Sequence, residues 1–424
     1  MIKFILKGII RDKSRSLLPV IVVAAGVFLT VFLSGYLSGV FSDMIDLSAR
    51  FTTGHVKIMT HAYAENQDQL PNDLALINVS SLKSELKTSY PDMEWVERIH
   101  FGGLLDVPDK NGETRGQGPA VGTAVDLLSS GSAEVERMNI KQSVVKGSMP
   151  SKKGEALISD DFAEKFNVTI GSEITLFGST MNGSMMFKTF VVSGTLRFGN
   201  AFLDRGAVFI DILDAQEALD MNDASGEILG YFKDGNYDDL KALSVKEKFN
   251  AQYSSAKDEF SPMMLRLVDQ NDMGQYLMLS ENVGSIMIII FVLAMSVVLW
   301  NTGLLGGLRR YSEYGIRLAL GEEKKHIYGT TILEAVLIGI IGSLVGTALG
   351  LGGAWYLQTY GLNLGSVTQN MGMMIPSVLR AKITPGLFYV GFFPGVIATV
   401  MGNALAGLAI YKRKTSRLFK ELEV

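Results

Sequence analysis

Chemistry needs side chains that ionise, attack or ligate at workable spacing, and the four histidines are the first place to look. His55, His61, His100 and His326 offer no zinc pattern, because His55 and His61 stand six apart with no third ligand near them. The pairs Asp160-Asp161 and Asp238-Asp239 read as a helix cap and a solvated surface pair rather than acid–base dyads. No serine sits in a nucleophile elbow, and no G-x-x-x-x-G-K-[S/T] loop is present to cradle a nucleotide. Cysteine is absent, which removes disulfides and thiolate metal sites. The expectation is no catalytic residue and no metal.

One stretch has residues suited to mechanical rather than covalent work. From Arg309 it reads Arg309-Arg310-Tyr311-Ser312-Glu313-Tyr314-Gly315-Ile316-Arg317-Leu318-Ala319-Leu320-Gly321. This is a short helix with Ile316, Leu320 and the aliphatic part of Arg317 on one side, ended by Gly321. On residue types alone it is either a solvated basic loop or a docking element. Glu334 is an ionisable group about one turn into an apolar helix. It either contacts a basic residue near the N-terminus, such as Lys7 or Arg11, or is a plain interfacial glutamate. The apolar segments carry no chain of carboxylates or histidines, which argues against proton- or sodium-driven transport.

The elements that must position these residues are four long apolar stretches. Residues 16–42, 282–308 and 383–411 contain no charge, and a fourth stretch near 327–357 contains only Glu334. Each exceeds the ~20 residues that a helix needs to cross ~30 Å of hydrocarbon. The first is too long for a signal-peptide core and lacks a nearby cleavage site, so it reads as a retained span. The expected layout is a surface helix over 1–15, spans at 16–41, 282–308, 327–357 and 385–410, a short helix at 309–326, an outer loop at 358–384 and a tail at 411–424. Residues 1–11 place apolar and basic positions on alternate helical faces, as a helix lying on the membrane or a simple extension of the first span would.

Charge orients this layout. The whole chain has net charge −4, yet residues 42–280 hold 22 Lys/Arg against 35 Asp/Glu. The N-terminal segment, the link between the second and third spans and the tail are all basic. Short Lys/Arg-rich segments stay cytoplasmic, so both termini are expected inside and the large acidic domain outside, a face that does not suggest nucleic acid. Gly339, Gly342, Gly346 and Gly350 fall on one face of the third span, for close helix packing within a subunit or to line a groove. Pro394 marks an expected kink in the fourth.

The outer domain, residues 42–280, shows mixed patterning. Residues 55–59 and 95–107 read as strands and 78–89 as a helix. Segments 171–177, 187–196 and 207–210 alternate as strands, with helices at 160–166 and 213–219, and 258–281 reads as helical. This predicts an α-helical membrane protein with four transmembrane helices and an extracytoplasmic α+β domain, a mostly β insert at about 120–225 sitting inside a frame. Met181, Met185, Met186 and Phe187 form either an adaptable apolar surface or a core strand with a flexible loop.

The run from Arg310 to Gly321 resembles the "R-x-x-E-x-G-I-R-x-A-x-G" signature of FtsX/MacB-type permeases of ATP-binding-cassette (ABC) transporters. The layout is most like that of the lipoprotein-releasing (LolC/LolE-like) permeases. Residues 154–158 and 171–176 resemble that family's "G-E-x-x-I…G-x-x-V-x-L" outer pattern, and Glu334 with the glycines its "E-A-x-L-x-G-x-x-G-x-x-x-G". The tail matches the family's usual ending only loosely. The resemblance implies a porter-like frame in the outer domain and a bacterial inner-membrane location. It implies a permease paired with a second copy or a homologue, and a cytoplasmic ABC ATPase partner that binds ATP and Mg. Glu313, Gly315, Ile316, Arg317, Leu320 and Gly321 would contact that ATPase as a coupling helix. The implied task is mechanical release of lipoproteins to a periplasmic carrier. The alternatives are export through an adaptor and outer channel, or activation of a cell-wall hydrolase.

Overall fold

The computed structural model describes residues 13–109, 112–199, 201–204, 206–255, 257–309, 316–363 and 378–411. The expected surface helix up to residue 12 and the tail beyond Tyr411 lie outside these. The chain divides into two units, one of Met1–Ser42, Met278–Leu362 and Leu379–Val424, the other of Asp43–Leu277 and Asn363–Val378.

Four helices carry the apolar stretches: Lys13–Ser48, Met273–Arg309, Lys324–Tyr360 and Gly386–Tyr411. The first three have 36 or 37 residues, about 55 Å at ~1.5 Å per residue. All three are therefore longer than hydrocarbon requires. The fourth helix is assigned continuously through Pro394. Within this unit Val23, Val27 and Val31 of the first span recur every four residues and pack against Phe291, Met295 and Leu299 of the second. Ile289, Leu293 and Val297 lie on the opposite side of the second span and remain exposed, the apolar outer face of a helix solvated by lipid.

Among the described residues of 43–277 there are twelve strands: β1 (Val56–Thr60), β2 (Leu76–Ile77), β3 (Met93–Pro108), β4 (Thr114–Val125), β5 (Val144–Gly147), β6 (Glu155–Ser159), β7 (Glu173–Ser179), β8 (Met185–Leu196), β9 (Ala207–Asp211), β10 (Ala224–Ser225), β11 (Glu227–Phe232) and β12 (Pro262–Arg266). The main sheet runs β12-β1-β11-β3-β4-β9-β6-β8-β5, and β7 pairs with both β3 and β8. The pairings β3-β4-β9-β6-β8-β7 thus close a ring, and β5 is left as an edge strand on β8. A core of Ile99, Phe101, Leu105, Ile174, Leu176 and Phe190 is buried within the ring.

β3 belongs to both halves. Its first part pairs with β11 and its second with β4 and β7. The β-rich insert accordingly begins at Ile99, not at 120, because one long strand serves frame and ring alike. A second correction concerns 258–281: residues 262–266 form β12, all five in register with β1, and helix resumes only at Met273. β1 is central, flanked by β11 and β12, so all of its residues are buried. Alternation there does not separate a wet face from a dry one.

Candidate functional site

The turn between the second and third spans is described from Ile316 onward; Glu313 and Gly315 lie outside the described residues. Residues 316–319 are helical, and Gly321 has φ +89°, the left-handed region that favours glycine. Gly321 N–H donates to Leu318 O at 3.1 Å and Glu322 N–H to Arg317 O at 3.0 Å. These are the paired bonds of a Schellman stop. The apolar contact that often closes this motif is replaced by an ion pair: Arg317 Nε and Nη2 donate to Glu322 Oε2 and Oε1 at 2.5 and 2.6 Å. His326 Nδ1 lies 2.6 Å from Glu322 Oε1. Hydrogen bonds from Arg317 and then His326 hold the Glu322 carboxyl down at about 2.

This ion pair changes the role of Arg317. Its guanidinium is occupied in fixing the turn, and what the turn presents outward is aliphatic. Ile316 is 62% exposed and Leu320 83%, one helical turn apart on a common side. Two bare aliphatic side chains on a clamped turn make an exposed apolar knob and provide no acid, base or nucleophile.

The glycines of the third span face two neighbours. A Cβ at Gly342, Gly346 or Gly350 would lie 2.8, 2.7 or 2.8 Å from the Cβ of Val23, Val27 or Val31 in the first span. At Gly339 it would lie 3.1 Å from Val396 Cα in the fourth. These approaches leave no space for a groove along the glycine face. Glu334 is half-buried, and Lys7 and Arg11, considered above as its partners, lie outside the described residues.

In the outer unit the candidate Met/Phe cluster separates. Met186 is buried and Met181 packs against the ring core, whereas Met185 and Phe187 are 74% and 59% exposed. Leu104 of β3 stands opposite Phe177 of β7, which stands opposite Phe187 of β8. The Phe177 and Phe187 rings meet edge-on at 5.2 Å. The result is an apolar ladder across three strands, partly open to solvent.

Two buried ion clusters escaped sequence reading. Lys57 Nζ and His100 Nε2 reach Glu227 at 2.5 and 2.9 Å. Burial opposes ionisation of Glu227, but Lys57 and His100 hold its carboxyl at about 2. Arg98 Nε donates to Glu134 at 2.7 Å and its Nη2 to Tyr231 Oη at 2.9 Å. Tyr231 Oη in turn donates to Ala49 O. Arg137 joins Glu134, reaches Glu94 at 2.6 Å and stacks 3.9 Å over the Tyr231 ring. Burial raises the Glu134 carboxyl and these two arginines more than reverse that, so it lies below its ordinary range. Apart from Glu134 and Arg137, three apart on one helix, the pairs join residues of β1, β3, β11 and that helix that are distant in the sequence, so nothing local marks them.

The remaining candidates have structural partners. Buried His55 accepts from Phe232 N–H at Nδ1, and burial lowers it to about 4. His61 bonds Ser254. Ser159, not Asp160, caps its helix; Asp160 accepts from Thr195 and pairs with Lys146 and Arg197. Asp238 and Asp239 are both partly exposed, as a surface pair would be, and each also has a structural partner: Asp238 caps the helix Asp239–Tyr253 and Asp239 binds Arg266.

Comparison with known proteins fits this arrangement. Residues 285–415 match the model of the FtsX-like permease C-terminal family, and residues 16–243 that of the MacB-like periplasmic core domain. The crystal structure of the periplasmic region of MacB from Actinobacillus actinomycetemcomitans covers 54% of this chain and 95% of its own, with 10% identity and a TM-score of 0.36. A search of curated proteins gives no match. The core-domain match extends over more than half of the sequence, the permease match takes in the second to fourth spans, and the chain belongs to the FtsX/MacB-type permeases, membrane components of ABC transporters.

Proposed function

We propose that this permease releases lipoproteins from a bacterial inner membrane, driven by a separate ABC ATPase that binds ATP and Mg. Its N-terminus, its turn at 309–326 and its tail face the cytoplasm, and residues 42–280 face the periplasm, an orientation supported by the basic short segments. The ATPase dimer grips Ile316 and Leu320, and the clamp of Arg317 on Glu322 keeps the turn from yielding when the ATPase closes. A second copy of the permease, or a homologue, completes the machine. The outer domains then hand the cargo to a periplasmic carrier.

The observation that carries the cargo reading is the ladder of Leu104, Phe177 and Phe187 with Met185 beyond it. An exposed apolar strip on a water-facing domain is a place for another apolar surface, and methionine adapts its shape to irregular chains such as acyl groups. The test is ATP-dependent release of a labelled lipoprotein from proteoliposomes holding the permease and its ATPase. In M185S/F187S, release falls about tenfold, the size expected for losing one contact of ~1.4 kcal/mol, while ATP hydrolysis continues. Hydrolysis by the unaltered protein with no lipoprotein leaving the bilayer would sink the proposal.

A further inference from the structure

β3 is flanked by β4 and β7 at Leu104–Asp106, but at its start it has a neighbour on one side only. Between Met93 and Arg98 it pairs with β11, whereas pairing with β4 begins only where Ile99 stands opposite Ala124. β4 ends at Val125, in register with Asp211 of β9, and the chain turns away at Asp126. Backbone groups in an antiparallel strand point alternately to its two neighbours. Lys233 N–H donates to Asp92 O, which puts the even-numbered residues of this stretch on the β11 side. Trp95 and Glu97 therefore turn their N–H and C=O groups to the side that β4 vacates. Among the described residues no other element bonds these groups.

This open edge lines a cleft of about 1100 Å³. One wall is the helix Val79–Ser89, with Lys83 and Lys87; the other is the segment 126–134. The acids of the cleft are engaged. Glu97 pairs with Lys83 at 2.7 Å, Glu94 with Arg137 and Glu134 with Arg98. Asp211 accepts from Leu127 N–H, Asp223 from Ser80 N–H and Asp126 from Ser129 N–H. Lys87, Lys153 and Lys233 also line the cleft, are exposed and make no ion pair among the described residues. Asp126, Asp211 and Asp223 keep their own charge, held by neutral N–H groups, so these three lysines are the cations of the cleft that have no carboxylate partner among the described residues.

We propose that this cleft captures an extended polypeptide segment with acidic side chains, which adds to β3 as a strand. A strand edge recognises main chain: its alternating N–H and C=O groups are satisfied in series by another extended backbone. The three lysines select carboxylates alongside it. A headgroup or sugar has no repeat that matches the strand spacing. The proposal does not depend on the lipoprotein reading, since it concerns a different surface from the Leu104–Phe187 ladder.

The test uses the full-length protein in detergent and a fluorescein-labelled peptide of alternating Glu and Val, followed by anisotropy. Binding weakens about tenfold or more, ~1.4 kcal/mol, when alternate peptide amides are N-methylated, when Glu is replaced by Lys, and in K87E/K153E/K233E. Glu97→Pro removes one outward donor at an edge position where proline is tolerated and weakens binding, whereas Glu97→Gln, which loses only the Lys83 pair, does not. If E97P fails to fold, the N-methylated peptide still decides. Equal binding of the methylated peptide, indifference to peptide charge, no binding at all, or an edge occupied instead by a second copy of the chain each overturns the proposal.

Discussion

The two units of this chain cohere by opposite means. In the membrane unit three glycines of the third span receive three valines of the first, so that two helices approach through the smallest possible contact. In the outer unit, charged and polar groups taken out of water join the frame to the ring: Lys57 and Glu227 with His100, and Arg98, Glu134 and Arg137. Lipid offers no hydrophobic gain when helices associate, and close approach must supply the attraction. A domain that folds from water has that gain, and it tolerates buried charge only when every charge is paired.

The most severe test of this contrast is Glu227→Gln, which leaves Lys57 charged in a buried site. It costs about 3–5 kcal/mol, the range for breaking a buried pair, read by unfolding the protein in detergent with Trp95 fluorescence. K57M/E227L, which removes both charges, recovers most of that loss; a single substitution costing under about 1 kcal/mol would break the comparison. The same group sets a pH dependence. Its folded value of about 2 lies below the ordinary 4.5, so the unfolded chain takes up the proton first as pH falls. The stabilisation is complete above 4.5 and is lost as pH drops toward 2. Glu227→Gln flattens the dependence in that window.

On the membrane side, Gly346→Val pushes a branched side chain into Val27 and the Ala24 carbonyl and costs about 1–3 kcal/mol as overpacking. Thermal melting in detergent measures it. The loss falls on the first–third span contact, so with Trp300 and Trp355 replaced by Phe the remaining Trp95 reports no change at the lower temperature of that transition. The turn between spans follows neither rule, because its apolar residues are bare. I316S/L320S lowers ATPase affinity about tenfold, ~1.4 kcal/mol, in a pull-down titration, with the melting temperature unchanged. A comparable effect is expected of Gly321→Ala, about 1–2 kcal/mol of left-handed strain, seen as partial loss of coupled hydrolysis; no loss at all would mean that the Schellman stop is dispensable.

These regions also differ in how far a linear reading reaches. The glycine spacing and the helix stop at Gly321 follow from periods of a few residues, and both could be read from neighbours along the chain. Lys57 could not. In an alternating run it looks like the wet side of a strand, and only β11, which brings Glu227 to it, gives its charge a buried partner. Likewise 262–266 has no alternation that announces a strand, and it becomes one because β1 supplies a partner along its whole length.

Length, apolarity and local period were enough to define four membrane-crossing helices, a polar domain between the first two and a turn with an aliphatic side, since each is a property of consecutive residues. Folding in three dimensions chose which helix receives the glycines, closed the ring around β7, shared β3 between frame and ring, and brought Lys57 to Glu227 and Arg98 and Arg137 to Glu134. Those choices depend on residues far apart in the chain, brought together by packing and by the need to neutralise charge away from water.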